Sequence, residues 1–242
     1  MSSVAKYHAA RARCARDVQR CQRLRAKCFA VPSGIDRDEH DDVCTHFMIM
    51  TDQHDLVACF RILRLSGGAQ IEQSYAAQYY ELSALEAYDG VMMEMGRFCI
   101  DPDVSDPDIV RVAWAALTEF VHEHNVSLLF GCASFSGTDQ EPYLDAFSLL
   151  KHRHVGPKRW LPQVKAPNVF RFASRLVRPP DMRRAMRAMP PLLKSYLMMG
   201  GWVSDHAVID AQMNTIHVFT GVEIDSIPPA RKRLLTMAAA RA

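Results

Sequence analysis

The sequence predicts a mixed α/β (α+β) protein built on a central sheet, and three observations carry that prediction. Apolar runs of strand length occur at Cys44–Met50, Leu56–Leu65 and Met92–Ile100. An amphipathic helix follows, with Ile109, Val112, Ala113, Ala116, Leu117, Phe120 and Val121 at helical spacing. Two more strand-like runs, Trp202–Asp210 and Asn214–Thr220, lie near the end of the chain. Strands and helices mix without strict alternation, and no tandem repeat is present. The 242 residues are 49% hydrophobic, enough to bury a real core in one domain spanning 1–242.

Each element has a local reason. A basic helix is expected over about 4–30, with Val18, Cys21, Leu24, Arg25, Cys28 and Phe29 near one face and Pro32-Ser33-Gly34 as its stop. The acidic loop Asp36–Asp42 leads into the first two strand runs. A looser segment with Gly67-Gly68, Tyr75, Tyr79 and Tyr80 precedes the third. Asp106 or Asp108 can cap the central helix, with Pro107 in its first turn. A buried-type strand, Val126–Ala133, follows, and Gly131–Gly137 reads as a small-residue turn after it. Residues from about 141 to 199 read as a helical and irregular insertion: a helix at Glu141–His152, a proline-spaced stretch, a basic helix at 181–188, and Leu192–Met199 ended by Gly200-Gly201.

Composition sets limits on function. Net charge is only +2, so no global field calls for nucleic acid, and none is expected as a partner. The basic residues are nevertheless clustered, in the N-terminal helix and again at Arg171, Arg175, Arg183, Arg184, Arg187 and Lys194. Such clusters attract acidic proteins, and the same faces suit a peripheral contact with anionic lipid. No apolar stretch approaches a membrane span. The seven cysteines form no CxxC pair and read as reduced, mostly buried thiols, which places the protein in the cytoplasm or at the inner face of its membrane. No metal site is expected. Nucleotide phosphate loops and the GxSxG nucleophile elbow are absent.

The charged residues inside apolar strands carry the chemistry. Arg61 interrupts Val57–Arg64, and Glu94 and Arg97 interrupt Val91–Asp101. An unpaired charge there costs several kcal/mol, roughly. A buried ion pair that only holds the sheet is one explanation. A polar cleft lined by Arg61, Glu94 and Arg97 is the other.

The element order resembles the GNAT acyltransferase fold, in which two central strands splay around an acyl-thioester arm. The pattern Arg25…Phe29, Asp38…Asp41, Arg61-Ile62-Leu63 and Glu94-x-x-Arg97 resembles the acyl-homoserine-lactone synthases. Longer colinear segments look like the bacterial ornithine–acyl-carrier-protein N-acyltransferases: Glu94–Cys99, Leu129–Ser134, Gly137-Thr138-Asp139 and Pro190–Leu197. That resemblance covers nearly the whole chain. It implies transfer of a 3-hydroxyacyl group from acyl carrier protein to the α-amine of ornithine, or of glutamine as in the glutamine-lipid relatives, to form a lyso-aminolipid. No resident cofactor is implied, since the carrier's phosphopantetheine arm arrives with the co-substrate.

The resemblance also implies roles. Glu94 is the substrate anchor or the base. Arg97 orients it, and the backbone amide near Phe98 meets the oxyanion. Arg25, Phe29, Asp38, Asp41 and Arg61 form the amino-acid pocket. The second basic cluster docks the acidic carrier. Phe98, Leu129, Phe130, Met198 and Trp202 line the acyl tunnel or are plain core. The segment Asp103–Asp108 lacks the glycine-rich turn that grips pyrophosphate, which disfavours acetyl-coenzyme A. The alternatives are an autoinducer synthase, which needs an S-adenosylmethionine pocket, and a non-catalytic acyl-carrier-binding module, which has no need of the ionic set.

Overall fold

Tyr7–Arg11 is a strand, where the sequence suggested the opening turns of a helix. The computed structural model describes residues 6–239, so the first part of the expected helix over 4–30 lies outside the described residues. In chain order the elements are β1 (Tyr7–Arg11), α1 (Ala15–Cys28), β2 (Thr45–Thr51), β3 (Leu56–Leu65), β4 (Tyr80–Glu81), β5 (Val91–Ile100), α2 (Pro107–Glu123), β6 (Val126–Ser136), α3 (Leu144–Arg153), β7 (Gln163–Val164), β8 (Val169–Phe170), α4 (Phe172–Arg175), α5 (Met182–Ala188), α6 (Pro191–Met198), β9 (Trp202–Asp210), β10 (Thr215–Glu223) and α7 (Pro229–Ala239). The fold is of the mixed α/β class. The chain divides into two compact units, each made of discontinuous segments.

Of the described residues, the first unit holds 6–64, 95–126 and 229–239. Here β1 runs antiparallel to β2, from Tyr7 opposite Thr51 to Arg11 opposite Phe47. This pairing explains the missing helical turns: the ladder with β2 spans all five residues and outweighs the helix propensity of the alanines and Arg11. Helix α1 therefore starts only after Cys14, which is exposed. β2 and β3 form a hairpin, with Phe47 stacked on Phe60 at 4.8 Å. One sheet face carries Met48, Met50, Cys59 and Cys99 under Cys21 and Leu24 of α1. Phe47 leans on Phe120 of α2. Alternation along the strands thus buries both faces, one under each helix. α7, which no sequence signal announced, packs on α2.

The second unit holds residues 65–94 and 127–228. Its sheet is antiparallel in the order β6, β10, β9, β8. β6 pairs with β10 as far as Ser136 opposite Thr215, so the segment read as a turn after Ala133 is strand. One face packs Ala133, Phe135, Ile216 and Val218 against Phe147 and Leu150 of α3, Phe172 of α4, Ala185 of α5 and Leu193 of α6. The sequence matched β9 at both ends and fell three residues short on β10. Of the tunnel candidates here, Leu129, Phe130 and Trp202 are buried, while Met198 lies exposed on the surface.

The thiols are all free, as composition suggested, but only Cys21, Cys59 and Cys99 are buried. Among the described residues, no helix is long and apolar enough to cross a membrane. No group of three or more His, Cys, Asp or Glu among them is arranged to hold a metal ion.

Candidate active site

In the first unit, three arginines and three aspartates meet in one network. Arg25 comes from the buried face of α1, and Arg61 from β3. Arg97 comes from β5, and Asp36, Asp38 and Asp41 from the acidic loop. Arg25 donates from Nε to Asp36 at 2.7 Å and from Nη1 to Asp41 at 2.6 Å. Arg61 bridges Asp41 and Asp38, with Nη2 at 2.7 Å from Asp38 Oδ2. Arg97 reaches Asp36 at 3.0 Å and Asp38 at 3.1 Å. Gln22 adds a donor to Asp41 at 2.9 Å, and the Asp41 carbonyl meets His46 Nε2 at 3.0 Å.

The loop is shaped to present these carboxylates. Asp38 caps the short 3-10 turn Glu39–Asp42 by accepting from the His40 amide, and Asp41 accepts from the Asp38 amide in return. Burial alone raises the Asp41 carboxyl, but the Arg25 hydrogen bond and charge outweigh it, with help from Gln22 and Arg61, and hold it well below the carboxylate range. Asp38 likewise ends lowered, burial being outweighed by Arg61 and then Arg97.

Exposure sorts the members. Arg25 is 1% exposed, and Arg61 and Asp41 are also buried. Asp38, with 24% of its side chain exposed, and Arg97, with 11%, form the open edge. The structure therefore brings Arg25, Asp38, Asp41 and Arg61 together, the residues that the resemblance assigned to one pocket, and adds Asp36 and Arg97. It holds Asp41 between Arg25 and Arg61 and leaves the solvent edge to Asp38 and Arg97. Phe29 stands at the end of α1, half-buried against the core beneath that helix. Beside the network a groove of about 840 Å³ runs along the start of α1, lined by Arg13, Arg16, Gln22, Arg37, Asp41, Asp42 and His46. Its mixed charges suit a zwitterion.

Strand β5 has an irregularity at this point. Arg97 adopts φ of +53°, a left-handed conformation rare for a residue with a side chain and typical of a bulge. The next peptide along the strand carries the Phe98 amide. The Phe98 ring is half-buried, 6.1 Å from Phe60.

Glu94 belongs to the second unit. Its Oε2 accepts from the Tyr75 amide at 2.8 Å and its Oε1 from the Ala76 amide at 2.7 Å. The carboxylate thus anchors the start of the 3-10 turn Ala76–Gln78. Tyr196, also buried, has its phenol raised first by burial and then by the Glu94 charge.

The same unit holds a polar set that the sequence did not single out. Tyr80, Tyr79, His206 and His217 pack together, with Tyr80 Oη donating to the His217 carbonyl at 2.8 Å. His206 Nδ1 lies 2.6 Å from Asp205, and the Nε2 atoms of both histidines are buried without a hydrogen-bond partner among the described residues. Burial pushes His217 down to about 4. The folded protein therefore keeps it neutral while the unfolded chain takes up a proton as pH falls through about 6.5. This contribution is complete above that pH and disappears as pH drops toward 4, a loss of about 3 kcal/mol. Urea unfolding at pH 7 and pH 4.5 is expected to show that loss in the wild type and a smaller one in His217→Gln. Identical pH slopes in the two proteins would refute it.

The second basic cluster lies on α4, α5 and the loop between them. Arg171, Arg175, Arg183, Arg184 and Arg187 are exposed, and Lys194 on α6 is half-buried.

Comparison with known proteins supplies the context. Residues 21–115 match the acetyltransferase (GNAT) domain family. The L-ornithine N(alpha)-acyltransferase of Rhodobacter capsulatus is 29% identical, over 93% of each chain. An acyl-homoserine-lactone synthase of Agrobacterium fabrum is 28% identical over 72% of this chain and 84% of its own. Among solved structures, the coenzyme A-dependent acyl-homoserine lactone synthase BjaI aligns with a TM-score of 0.52 at 14% identity, covering 98% of this chain and 90% of that one.

Proposed function

We propose that this chain, a GNAT-fold acyltransferase related to the L-ornithine N(alpha)-acyltransferases over nearly its whole length, moves a 3-hydroxyacyl chain from acyl carrier protein to the α-amine of an amino acid. Ornithine is the first candidate acceptor and glutamine the second. The product is a lyso-aminolipid, a precursor of bacterial membrane lipid.

Strand β5 carries the reading. In the second unit Glu94 is a buried carboxylate that accepts from two backbone amides, and in the first Arg97 has a left-handed conformation and is followed by the Phe98 amide. The free amine attacks the thioester carbonyl carbon. The Phe98 amide stabilises the oxyanion that forms. Glu94 receives the amine proton through water, and collapse of the tetrahedral intermediate releases the carrier thiol. Arg97 and Asp38, at the open edge of the ionic network, meet the acceptor's carboxylate and ammonium group in this reading.

The start of α2 favours a carrier-protein donor over coenzyme A. Asp106 caps this helix by accepting from the Asp108 amide at 3.0 Å, and Lys6 lies 2.6 Å from the same carboxylate. Asp101 and Asp103 upstream already hold Lys27. A pyrophosphate would meet carboxylates where other anion sites offer bare amides.

The test is incubation of the purified protein with 3-hydroxyacyl carrier protein and, separately, ornithine, glutamine and S-adenosylmethionine, with products read by mass spectrometry. N-acylornithine is the expected product. N-acylglutamine alone would move the acceptor assignment, and an acyl-homoserine lactone would replace the reading altogether. Turnover with 3-hydroxyacyl-coenzyme A is expected to be far slower, and equal rates would remove the carrier-protein argument.

A further inference from the structure

We infer that the outer face of Arg171–Arg187 is a docking surface for anionic lipid. Six arginines in this stretch stand against one acid of its own, Asp181, and Asp145 of the neighbouring α3. Asp145 takes Arg178 at 3.2 Å and Arg184 at 3.6 Å. Asp181 caps α5 by accepting from the Arg184 amide. Among the described residues, no carboxylate pairs with Arg171, Arg175, Arg183 or Arg187, which are all exposed.

Apolar side chains stand among these charges with nothing covering them. Val177 is 89% exposed, Met182 40% and Met186 46%. α5 turns Ala185 into the core and presents the opposite side outward. There Met182 and Met186, four residues apart, form one stripe, and Arg183 and Arg187 form the stripe beside it. A wholly solvated basic face gains nothing from a valine and two methionines in water. At a lipid surface they enter the headgroup boundary while the guanidinium groups stay at phosphate level. The occupant must be anionic and present an apolar layer beneath its charges, and a negatively charged bilayer meets both conditions. An acidic carrier protein meets the first and is the competing occupant. The inference does not depend on acyl transfer, because binding is measured without turnover.

The test is co-sedimentation of the full chain with phosphatidylcholine vesicles, with and without phosphatidylglycerol, at low and high salt. Binding is expected only with phosphatidylglycerol and should weaken as salt rises. The combined Arg175→Ala, Arg183→Ala, Arg187→Ala variant should lose about fivefold in partitioning per arginine removed. Val177→Ser with Met186→Ser should weaken binding several-fold with the charge unchanged. All five positions are exposed, and circular dichroism checks that both variants remain folded. Equal binding to both vesicle types, or variants that bind like the wild type, would overturn the inference. So would an arginine variant with intact vesicle binding and a raised KM for acyl carrier protein, which would give the surface to the carrier.

Discussion

Glu94→Gln is expected to lower kcat by about 10²–10⁴ while the protein stays folded. The substitution keeps the shape of the side chain and one acceptor oxygen. It also turns an NH₂ group toward one of two backbone donors, the amides of Tyr75 and Ala76. That mismatch costs about 1–3 kcal/mol, a few degrees in the unfolding midpoint. The kinetic loss is expected to be far larger than this structural cost explains. The division between kcat and KM identifies the role. A base lost gives a fall in kcat with KM little changed, and the acid limb of the pH–rate profile disappears. An anchor lost gives a rise in KM for the amino acid. If Glu94 only holds the 3-10 turn, turnover will track the fraction folded, and the Tyr75 and Ala76 amides will exchange faster with no selective kinetic defect.

Much of the fold was legible because its pattern is local. The period of α2 and the apolar run Phe47–Met50 of β2 require no knowledge of partners. β1 was not legible, because Tyr7-His8-Ala9-Ala10-Arg11 has no strong strand preference and becomes a strand only against β2. β6 outran its apolar run for the same reason: Ser134–Ser136 are held by β10. In the site, the ionic residues inside β3 and β5 gave themselves away by their cost. Their partners did not, since which carboxylates of an acidic run fold inward depends on the path of the loop. Asp36 stood two residues before Asp38 and looked no different from Asp42, yet Asp36 is buried and Asp42 exposed. His206 and His217 gave no signal, because a histidine in an alternating strand reads the same whether it faces water or core.

Arg25→Met is expected to destabilise the fold by about 3–5 kcal/mol at neutral pH, a large part of the roughly 5–15 kcal/mol that holds a domain together. The methionine fills much of the space, so the cost is electrostatic. Asp41 loses its strongest donor and Asp36 one of two, in a place where neither can recover water. The dependence on pH separates this from simple loss of packing. In the wild type the Asp41 and Asp38 carboxyls sit below their unfolded values, so their contribution is present above about pH 4 and is lost as pH falls through the folded values. In Arg25→Met the same burial persists without the guanidinium, and Asp41 moves upward. Protonation then relieves the folded state, and the gap from the wild type narrows as pH drops from 7 toward 4. Adding Asp41→Asn to Arg25→Met should recover part of the loss, because the stranded charge is gone. Urea unfolding of the four proteins of this cycle at both pH values measures all of these terms. A gap that is small, or equal at both pH values, would mean that Arg25 is not a structural counter-charge. A variant with unaltered unfolding and a raised KM for the amino acid would return Arg25 to the substrate pocket that the sequence pattern first suggested.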